Sequence, residues 1–374
     1  MQLHYGAIDT TPDTAGFYEP KLTELDNHFR ELVETRELQC ASYLLSRNGS
    51  IFACRSMGRL RYDDSESGFL PDSIRGIASI TKVFTSVAIL QLIEQGKLLV
   101  DSPVSQWIEE FNTPLHRGIT VFHLLTHTSG LIADPGYFTE PYTRGWGDGA
   151  SKGNWLKSVL AGPLQSEPGR TWSYSSAGFC VLGEMIARIS GMSYEDYILK
   201  RIVEPLGMER TFFHVPSALH DQVCLTADWD MKRLQSVPEA EDRVSRPPRA
   251  GGGLYSSLHD LWKLGEALLN QGMFQGVRIL GRKTVEAFTR NHLYDVPAFC
   301  WGARIPSMRY GLGIQLREEG FCSPQTFSHE GTGRCALFVD PVERFVAVYM
   351  VPSLVPFCEK SVFHPRSIMW SGLL

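Results

Sequence analysis

The sequence predicts an α/β protein of the α+β type, in which an antiparallel sheet flanked by helices carries an inserted all-helical domain. Strand-like apolar runs occur at 41–54 and again between 310 and 351, whereas residues 101–245 are mostly helical in pattern. Strands from both ends of a chain can share one sheet when a helical block separates them. We therefore expect a sheet domain from residues 1–100 and 246–374, a helical domain from 101–245, and an active site between the two.

The N-terminal part predicts one helix and one hairpin. Leucine and phenylalanine recur at helical spacing in residues 21–36. Two short apolar runs follow at 41–46 and 51–54, and Asn48-Gly49 lies between them. An Asn-Gly pair between strand-like runs is a strong hairpin signal, because both residues accept the positive φ of a type I′ turn.

Residues 79–95 are apolar on nearly every side. A helix with no polar face is a buried one, so this segment predicts a central core helix. Ser79 at its start and Gly96 after its end match the usual capping preferences.

The rest of the chain alternates between a helical middle and a strand-rich end. The middle predicts helices near 121–127, 154–161, 178–190 and 193–203, the last two joined at Gly191. The end predicts strands at 310–316, 324–329, 334–339 and 344–351, a turn at 340–343, and a short amphipathic segment at 361–374.

Composition excludes several classes of partner. The net charge of −5 comes without any Lys/Arg-rich block, which argues against nucleic acid and anionic membranes. Met1–Thr10 lacks the pattern of a secretory signal, and no apolar run is long enough to cross a bilayer. The eight cysteines stand singly, as expected for free thiols in a reducing cytoplasm. We expect a cytoplasmic protein with no membrane contact and no cofactor; its oligomeric state stays open.

Ser79-Ile80-Thr81-Lys82 is the segment that carries chemistry. A lysine three positions after a serine lies on the same helix face, one turn on. If it is desolvated, its pKa falls and it can act as the base that activates the serine. The helix N-terminus adds N–H groups beside a developing oxyanion. The tetrapeptide alone leaves open a plain core helix whose lysine reaches solvent.

Further segments identify a family. Tyr174-Ser175-Ser176 follows a Pro-Gly turn, and four more blocks occur at 124–131 (LLTHTSGL), 205–208 (PLGM), 251–254 (GGGL) and 310–313 (YGLG). In this order they resemble the class C β-lactamase, penicillin-binding-protein and family VIII esterase superfamily of serine hydrolases. The resemblance covers most of the chain and implies a β-lactamase/transpeptidase-like fold.

The resemblance implies a role for each matching residue. Ser79 matches the nucleophile, Lys82 the lysine of the first motif, and Tyr174 the tyrosine that exchanges protons with the nucleophile and the leaving group. His329 begins the third motif, and the backbone N–H of Thr332 would form the oxyanion hole with that of Ser79. Lys82 and His329 near Tyr174 should lower the pKa of its phenol.

Two departures from the family pattern bear on the substrate. Ser176 stands where the second motif usually has asparagine, whose amide binds a substrate carbonyl. His329 stands where the third motif usually has lysine, and histidine is only partly charged at neutral pH. Both changes favour small esters or amides over β-lactams. Besides Ser176, the expected substrate-binding residues are Gly331, Tyr137 and Trp146, the last two in an aromatic-rich loop.

Other functions are also compatible with these motifs. A penicillin-binding protein with D-alanyl or D-amino-acid peptidase or weak β-lactamase activity, an acyltransferase, and a catalytically silent scaffold would share the fold. His123 and His127 have the spacing of a zinc pair, but no Glu follows His123, so packing is favoured and no metal is expected. Gly251-Gly252-Gly253 predicts a tight turn or a close backbone approach near the site. No G-x-S-x-G occurs, which argues against an α/β-hydrolase.

Overall fold

The computed structural model of the protein describes residues 1–137, 155–236, 246–316, 320–355 and 358–374. Its strands are β1 Leu3–Tyr5, β2 Cys40–Arg47, β3 Ser50–Gly58, β4 Arg75–Gly76, β5 Tyr255–Ser256, β6 Met273–Phe274, β7 Val277–Arg278, β8 Ala298–Cys300, β9 Ala303–Ile305, β10 Gln315–Leu316, β11 Phe327–Gly331, β12 Cys335–Asp340 and β13 Phe345–Met350. Its α-helices are α1 Pro20–Glu34, α2 Thr81–Glu94, α3 Val121–Leu125, α4 Trp155–Leu160, α5 Ser176–Ser190, α6 Tyr194–Ile198, α7 Asp228–Gln235, α8 Leu258–Leu269, α9 Arg282–Thr289, α10 Glu359–Val362 and α11 His364–Trp370.

One antiparallel sheet of seven strands organises the fold, in the order β1-β3-β2-β13-β12-β11-β10. The first and last parts of the chain meet at β2 and β13, where Tyr43 pairs with Tyr349. The predicted hairpin is present, with Asn48 and Gly49 at φ values of 55° and 81° between β2 and β3. Both residues thus take the left-handed conformation that a two-residue hairpin turn requires.

Helices cover both faces of this sheet. Successive residues of β2 point to opposite sides: Tyr43 packs with α1 and α11, whereas Leu44 packs with α2 and α8. A sheet buried on both faces explains why its strands are apolar without alternation. The predicted antiparallel sheet flanked by helices is confirmed. The domain division at residues 100 and 246 stays a prediction.

The central helix α2 is buried along almost its whole length, as its apolar sequence predicts. It ends where expected, with Gly96 at φ 69°. The expected cap is wrong, however, because Ser79 lies inside a short 3₁₀ turn, Ala78–Ile80, and no side chain caps the start of this turn or of α2. The hydroxyl of Ser79 is therefore not committed to the helix end.

The predicted strand at 310–316 is also wrong in most of its length, since only Gln315–Leu316 pairs with β11. Gly313 has a φ of 94°, and a Cβ there would lie 1.9 Å from Ser86 Oγ of α2. A close approach to the core helix, rather than sheet pairing, sets the conformation of this segment. The other three predicted strands are present as β11, β12 and β13.

All eight cysteines are free thiols, and six of them are buried. Among the described residues, none of the helices combines the length and the apolar character that crossing a membrane would require.

Gly331 links the sheet to the turn that carries Ser79. A Cβ at this position would lie 2.3 Å from the carbonyl oxygen of Ile77. We predict that Gly331→Ala lowers the free energy of unfolding by about 1–3 kcal/mol, since backbone must move to admit the methyl group. Gly118→Ala is the matched control, because a Cβ there meets no atom within 4 Å. Urea unfolding measures both, and equal stability of the two variants would refute the close approach.

Candidate active site

Ser79 lies between β4 and α2, in a turn that the neighbouring strands hold in place. Ile77 donates its N–H to Leu254 O at 2.9 Å, and β4 pairs with β5. Ala78 has a φ of 45°, which a residue with a Cβ adopts only when its surroundings require it. Ser79 follows directly and is half-buried, so a small molecule can reach its hydroxyl from one side.

Lys82 reaches Ser79 from inside the protein. Its Nζ donates to Ser79 Oγ at 3.1 Å, to Ser176 Oγ at 3.0 Å and to Gly251 O at 2.6 Å. The side chain is fully buried. Burial lowers its pKa to about 8, opposed by the charge of Asp134, because a desolvated ammonium loses its proton more easily. A minor but substantial fraction of Lys82, roughly a tenth to a fifth, is thus neutral near physiological pH and able to accept a proton.

Tyr174 completes the contact around Ser79. Its ring centroid lies 4.7 Å from Lys82 Nζ and 6.3 Å from the centroid of the His329 ring. The expectation of a lowered pKa is wrong: burial raises the pKa of the Tyr174 phenol well above its usual range, and only a hydrogen bond with Ser79 opposes this. Desolvation disfavours the phenolate, and the charge of Asp134 acts in the same direction, so Tyr174 is a neutral phenol that can donate a hydrogen bond.

The loop after α3 holds the Tyr174 segment by backbone contacts. Ser175 donates its N–H to His127 Nδ1 at 3.1 Å and its hydroxyl to Ile132 O at 2.6 Å. Asp134 receives the N–H of Ser176 at 2.8 Å and donates its own N–H to Tyr174 O at 2.7 Å. These bonds explain why the blocks at 124–131 and 174–176 occur together.

The two histidines with zinc-like spacing both have protein partners. His123 lies with Nδ1 3.1 Å from the hydroxyl of Thr120, in the capping box that begins α3. His127 is buried, with a pKa well below its usual value because of desolvation and the nearby Lys82. Its Nδ1 accepts from a backbone N–H, so the neutral ring carries its proton on Nε2. Within the described ranges, no group of three His, Cys, Asp or Glu side chains could hold a metal.

The third-motif residues lie on β11, beside the Ser79 turn. His329 is buried on this strand, and Gly331 ends it against Ile77 and Ala78. Thr332 follows Gly331 directly and is exposed. The carboxylate of Glu330 pairs with Arg366 of α11. Arg366 thus has a protein carboxylate as its partner.

Aromatic side chains border the site. Tyr137 packs with its ring centroid 5.0 Å from that of Tyr174 and 5.7 Å from that of Trp301. Trp301 is 72% exposed, at the turn between β8 and β9. Tyr137 thus lies next to Tyr174, and its role in substrate binding stays a prediction. Trp146 lies outside the described residues.

Sequence analysis did not identify two of the hydrogen-bonding roles at this site. Gly251 was expected to form a tight turn or a close backbone approach near the site, but not to provide its carbonyl as a hydrogen-bond acceptor of Lys82. Asp134 was not singled out at all, and its carboxylate accepts both the N–H and the hydroxyl of Ser176, the latter at 2.6 Å. Its position three residues after the block 124–131 was the only available signal. Ser176, expected as a substrate handle, instead lies between Lys82 and Asp134.

Comparisons with known proteins bear on the family and the fold of the chain. A family model described as Beta-lactamase matches residues 25–360. An uncharacterized protein of Mycobacterium tuberculosis is 30% identical over 268 residues, a match that spans 64% of this chain and 65% of that protein. The structure of a family VIII carboxylesterase superposes with a TM-score of 0.73 at 20% identity, covering 100% of both chains. A penicillin-binding protein homolog from Caulobacter crescentus superposes with a TM-score of 0.72 at 19% identity, covering 98% of this chain and 99% of that one.

The contact between Lys82 and Ser79 predicts how covalent labelling of the serine depends on pH. A fluorophosphonate should add one phosphonyl group to the protein at Ser79, with a rate that rises with pH to a plateau and has its midpoint near the Lys82 pKa of about 8. The rise follows because only neutral Lys82 can take the Ser79 proton. Intact-protein mass spectrometry at a series of pH values measures the rate.

Two variants control this labelling experiment. Ser79→Ala should take no label, whereas Ser65→Ala, which changes an exposed serine, should label like the wild type. Full labelling of Ser79→Ala, or a rate independent of pH between about 6 and 10, would contradict the assignment.

Proposed function

Because the chain belongs to the beta-lactamase family, we propose that it is a serine hydrolase that acts on small esters or amides through an acyl-enzyme. The observation that carries this proposal is the contact of a buried, low-pKa Lys82 with Ser79. A buried lysine of lowered pKa beside a serine is the arrangement that activates a hydroxyl nucleophile.

Acylation uses three groups of this site. Neutral Lys82 takes the proton of Ser79 as its Oγ attacks the carbonyl carbon of the substrate. The negative charge that develops on the carbonyl oxygen is stabilised by the backbone N–H groups of Ser79 and Thr332. The phenol of Tyr174 gives its proton to the leaving oxygen or nitrogen as the bond to carbon breaks, and Lys82 restores that proton.

Deacylation runs the same transfers in reverse. Tyr174 takes a proton from a water molecule as it passes its own phenol proton to neutral Lys82, while the water oxygen attacks the acyl carbon. The bond to Ser79 Oγ then breaks, and the proton returns to that oxygen. The acid leaves, and the site regains its starting protonation state.

The surroundings of the site favour esters over β-lactams. Ser176 is engaged with Lys82 and Asp134, so its hydroxyl is a poor handle for a substrate amide. His329 stands where the family usually has a lysine, so one permanent charge that could bind a substrate carboxylate is missing. The aromatic side chains of Tyr137 and Trp301 offer apolar surface to an acyl or alkoxy group.

We predict that kcat/KM for p-nitrophenyl butyrate exceeds that for nitrocefin by at least about a hundredfold. Each missing charge-assisted hydrogen bond costs a β-lactam about 1.5–3 kcal/mol, or roughly ten- to a hundredfold in rate. An activated ester needs only the nucleophile and the oxyanion hole. A hydrolysis panel of both substrates and D-aminoacyl amides measures this. Faster turnover of nitrocefin or of D-aminoacyl amides would replace the esterase assignment with a penicillin-binding-protein activity.

Lys82 and Tyr174 should behave as one proton-transfer unit. Lys82→Ala and Tyr174→Phe are each expected to lower kcat by about 10²–10⁴, the usual size of a general acid–base contribution. The double variant should be little slower than the slower single variant, because the two groups pass the same proton. Steady-state ester kinetics test this, with Tyr294→Phe as the control for an exposed tyrosine. Losses that simply multiply would show that the two groups act independently.

A further inference from the structure

We infer that Asp134 is a positioning residue for Lys82: by fixing the direction of the Ser176 hydroxyl, it leaves the lone pair of the neutral lysine facing Ser79. This role rests on the proposed function, in which Ser79 is the nucleophile. Asp134 is hydrogen-bonded to Ser176, and Ser176 is hydrogen-bonded to Lys82, so Asp134 acts on the lysine through Ser176.

The direction of the lone pair of Lys82 depends on which neighbouring atoms can accept a hydrogen bond but cannot donate one. A deprotonated lysine has two N–H bonds and one lone pair. The carbonyl of Gly251, 2.6 Å from Lys82 Nζ, can only accept, so it takes one N–H. Ser176 could in principle accept from Lys82 or donate to it, and its choice decides where the lone pair points.

Asp134 settles that choice. Its Oδ2 lies 2.6 Å from Ser176 Oγ, and an ionised carboxylate accepts without donating. The hydroxyl proton of Ser176 is therefore directed to Asp134, and its oxygen accepts the second N–H of Lys82 at 3.0 Å. Ser79, at 3.1 Å, is then the remaining partner among the three and the one that can give a proton to the lone pair.

The position of Asp134 is itself fixed by the backbone. Its Oδ1 accepts the N–H of Ser176 at 2.8 Å, at the start of α5, and its own N–H binds the carbonyl oxygen of Tyr174 at 2.7 Å. The carboxylate thus has one oxygen for the backbone and one for the hydroxyl. Asparagine has the same shape, but with its carbonyl oxygen kept on the Ser176 N–H it would present an NH₂ group to the Ser176 hydroxyl.

Asp134 also sets the charge environment of Lys82. Its carboxylate raises the pKa of the lysine, against the larger effect of burial. The other titratable groups that face Lys82 or Tyr174 are Cys180 of α5, His127 of the loop after α3, His329 of β11, Tyr137 and Tyr310. Burial raises the pKa of Cys180 to about 12, and burial keeps His127 neutral, so Asp134 is the anionic group in this set.

The test is the rate of fluorophosphonate labelling of Ser79 against pH in Asp134→Asn. The amide should turn the Ser176 proton toward Lys82, so the plateau rate should fall about ten- to a hundredfold, the effect of a lost hydrogen bond to a charged group. Loss of the negative charge should also move the pH midpoint below that of the wild type. A purely structural role would lower the thermal midpoint without moving the pH midpoint, and that result would overturn the inference.

Ser176→Ala supplies the second measurement. It removes the same acceptor while the carboxylate stays, so it should slow labelling to a similar degree. In that background, Asp134→Asn should cost less than about twofold further in plateau rate, since groups that act through one another are not additive. A full additional loss would show that Asp134 does not act through Ser176.

The controls separate this inference from the proposed function. Asp228→Asn changes an exposed carboxylate that also accepts a hydroxyl, from Tyr62, and should label like the wild type. If the wild type takes no label at Ser79, the proposed function fails. If the wild type labels at Ser79 and Asp134→Asn labels at the same rate with the same pH midpoint, only the role of Asp134 fails.

Discussion

The burial of one lysine amine governs the organisation of this site. An ammonium group removed from water is costly unless every N–H finds an acceptor, and Lys82 has three acceptors within 3.1 Å. Burial also lowers its pKa to about 8, so the same desolvation that must be compensated makes the amine a base. The helix that carries Lys82 is apolar on every side because it must lie in the core to bring about this desolvation.

Each acceptor of Lys82 comes from a different part of the chain. Ser79 lies one turn earlier, Ser176 begins α5, and Gly251 lies in a 3₁₀ turn, Arg249–Gly251. The turn approaches α5 so closely that a Cβ on Gly251 would lie 3.1 Å from the Cβ of Ser176. The glycine is needed because a backbone carbonyl must reach the lysine between two packed elements. Small changes in either element would alter the hydrogen bonds of the base.

The two departures from the usual motifs each have a different local partner in the structure. Serine in place of asparagine at position 176 shortens the side chain, and Asp134 supplies the polar partner behind it. Histidine in place of lysine at position 329 removes a permanent charge from the third motif, and Glu330 next to it pairs with Arg366. We propose that both substitutions reduce the polar groups available to a β-lactam. We therefore expect the chemistry of the family to be kept while the choice of substrate differs.

By itself, the sequence determined what local pattern can encode. The apolar run of α2, the Asn48-Gly49 hairpin and the pairing of Ser79 with Lys82 one turn apart all depend on neighbours within a few residues. The tertiary structure decided what depends on desolvation and on contacts between distant segments. It made Tyr174 a neutral phenol rather than the acidified one expected, because burial raises the pKa of the phenol. It also turned residues 310–313 away from the sheet and brought Asp134 to Ser176, since close packing and buried hydrogen bonds are set by elements that no local pattern brings together.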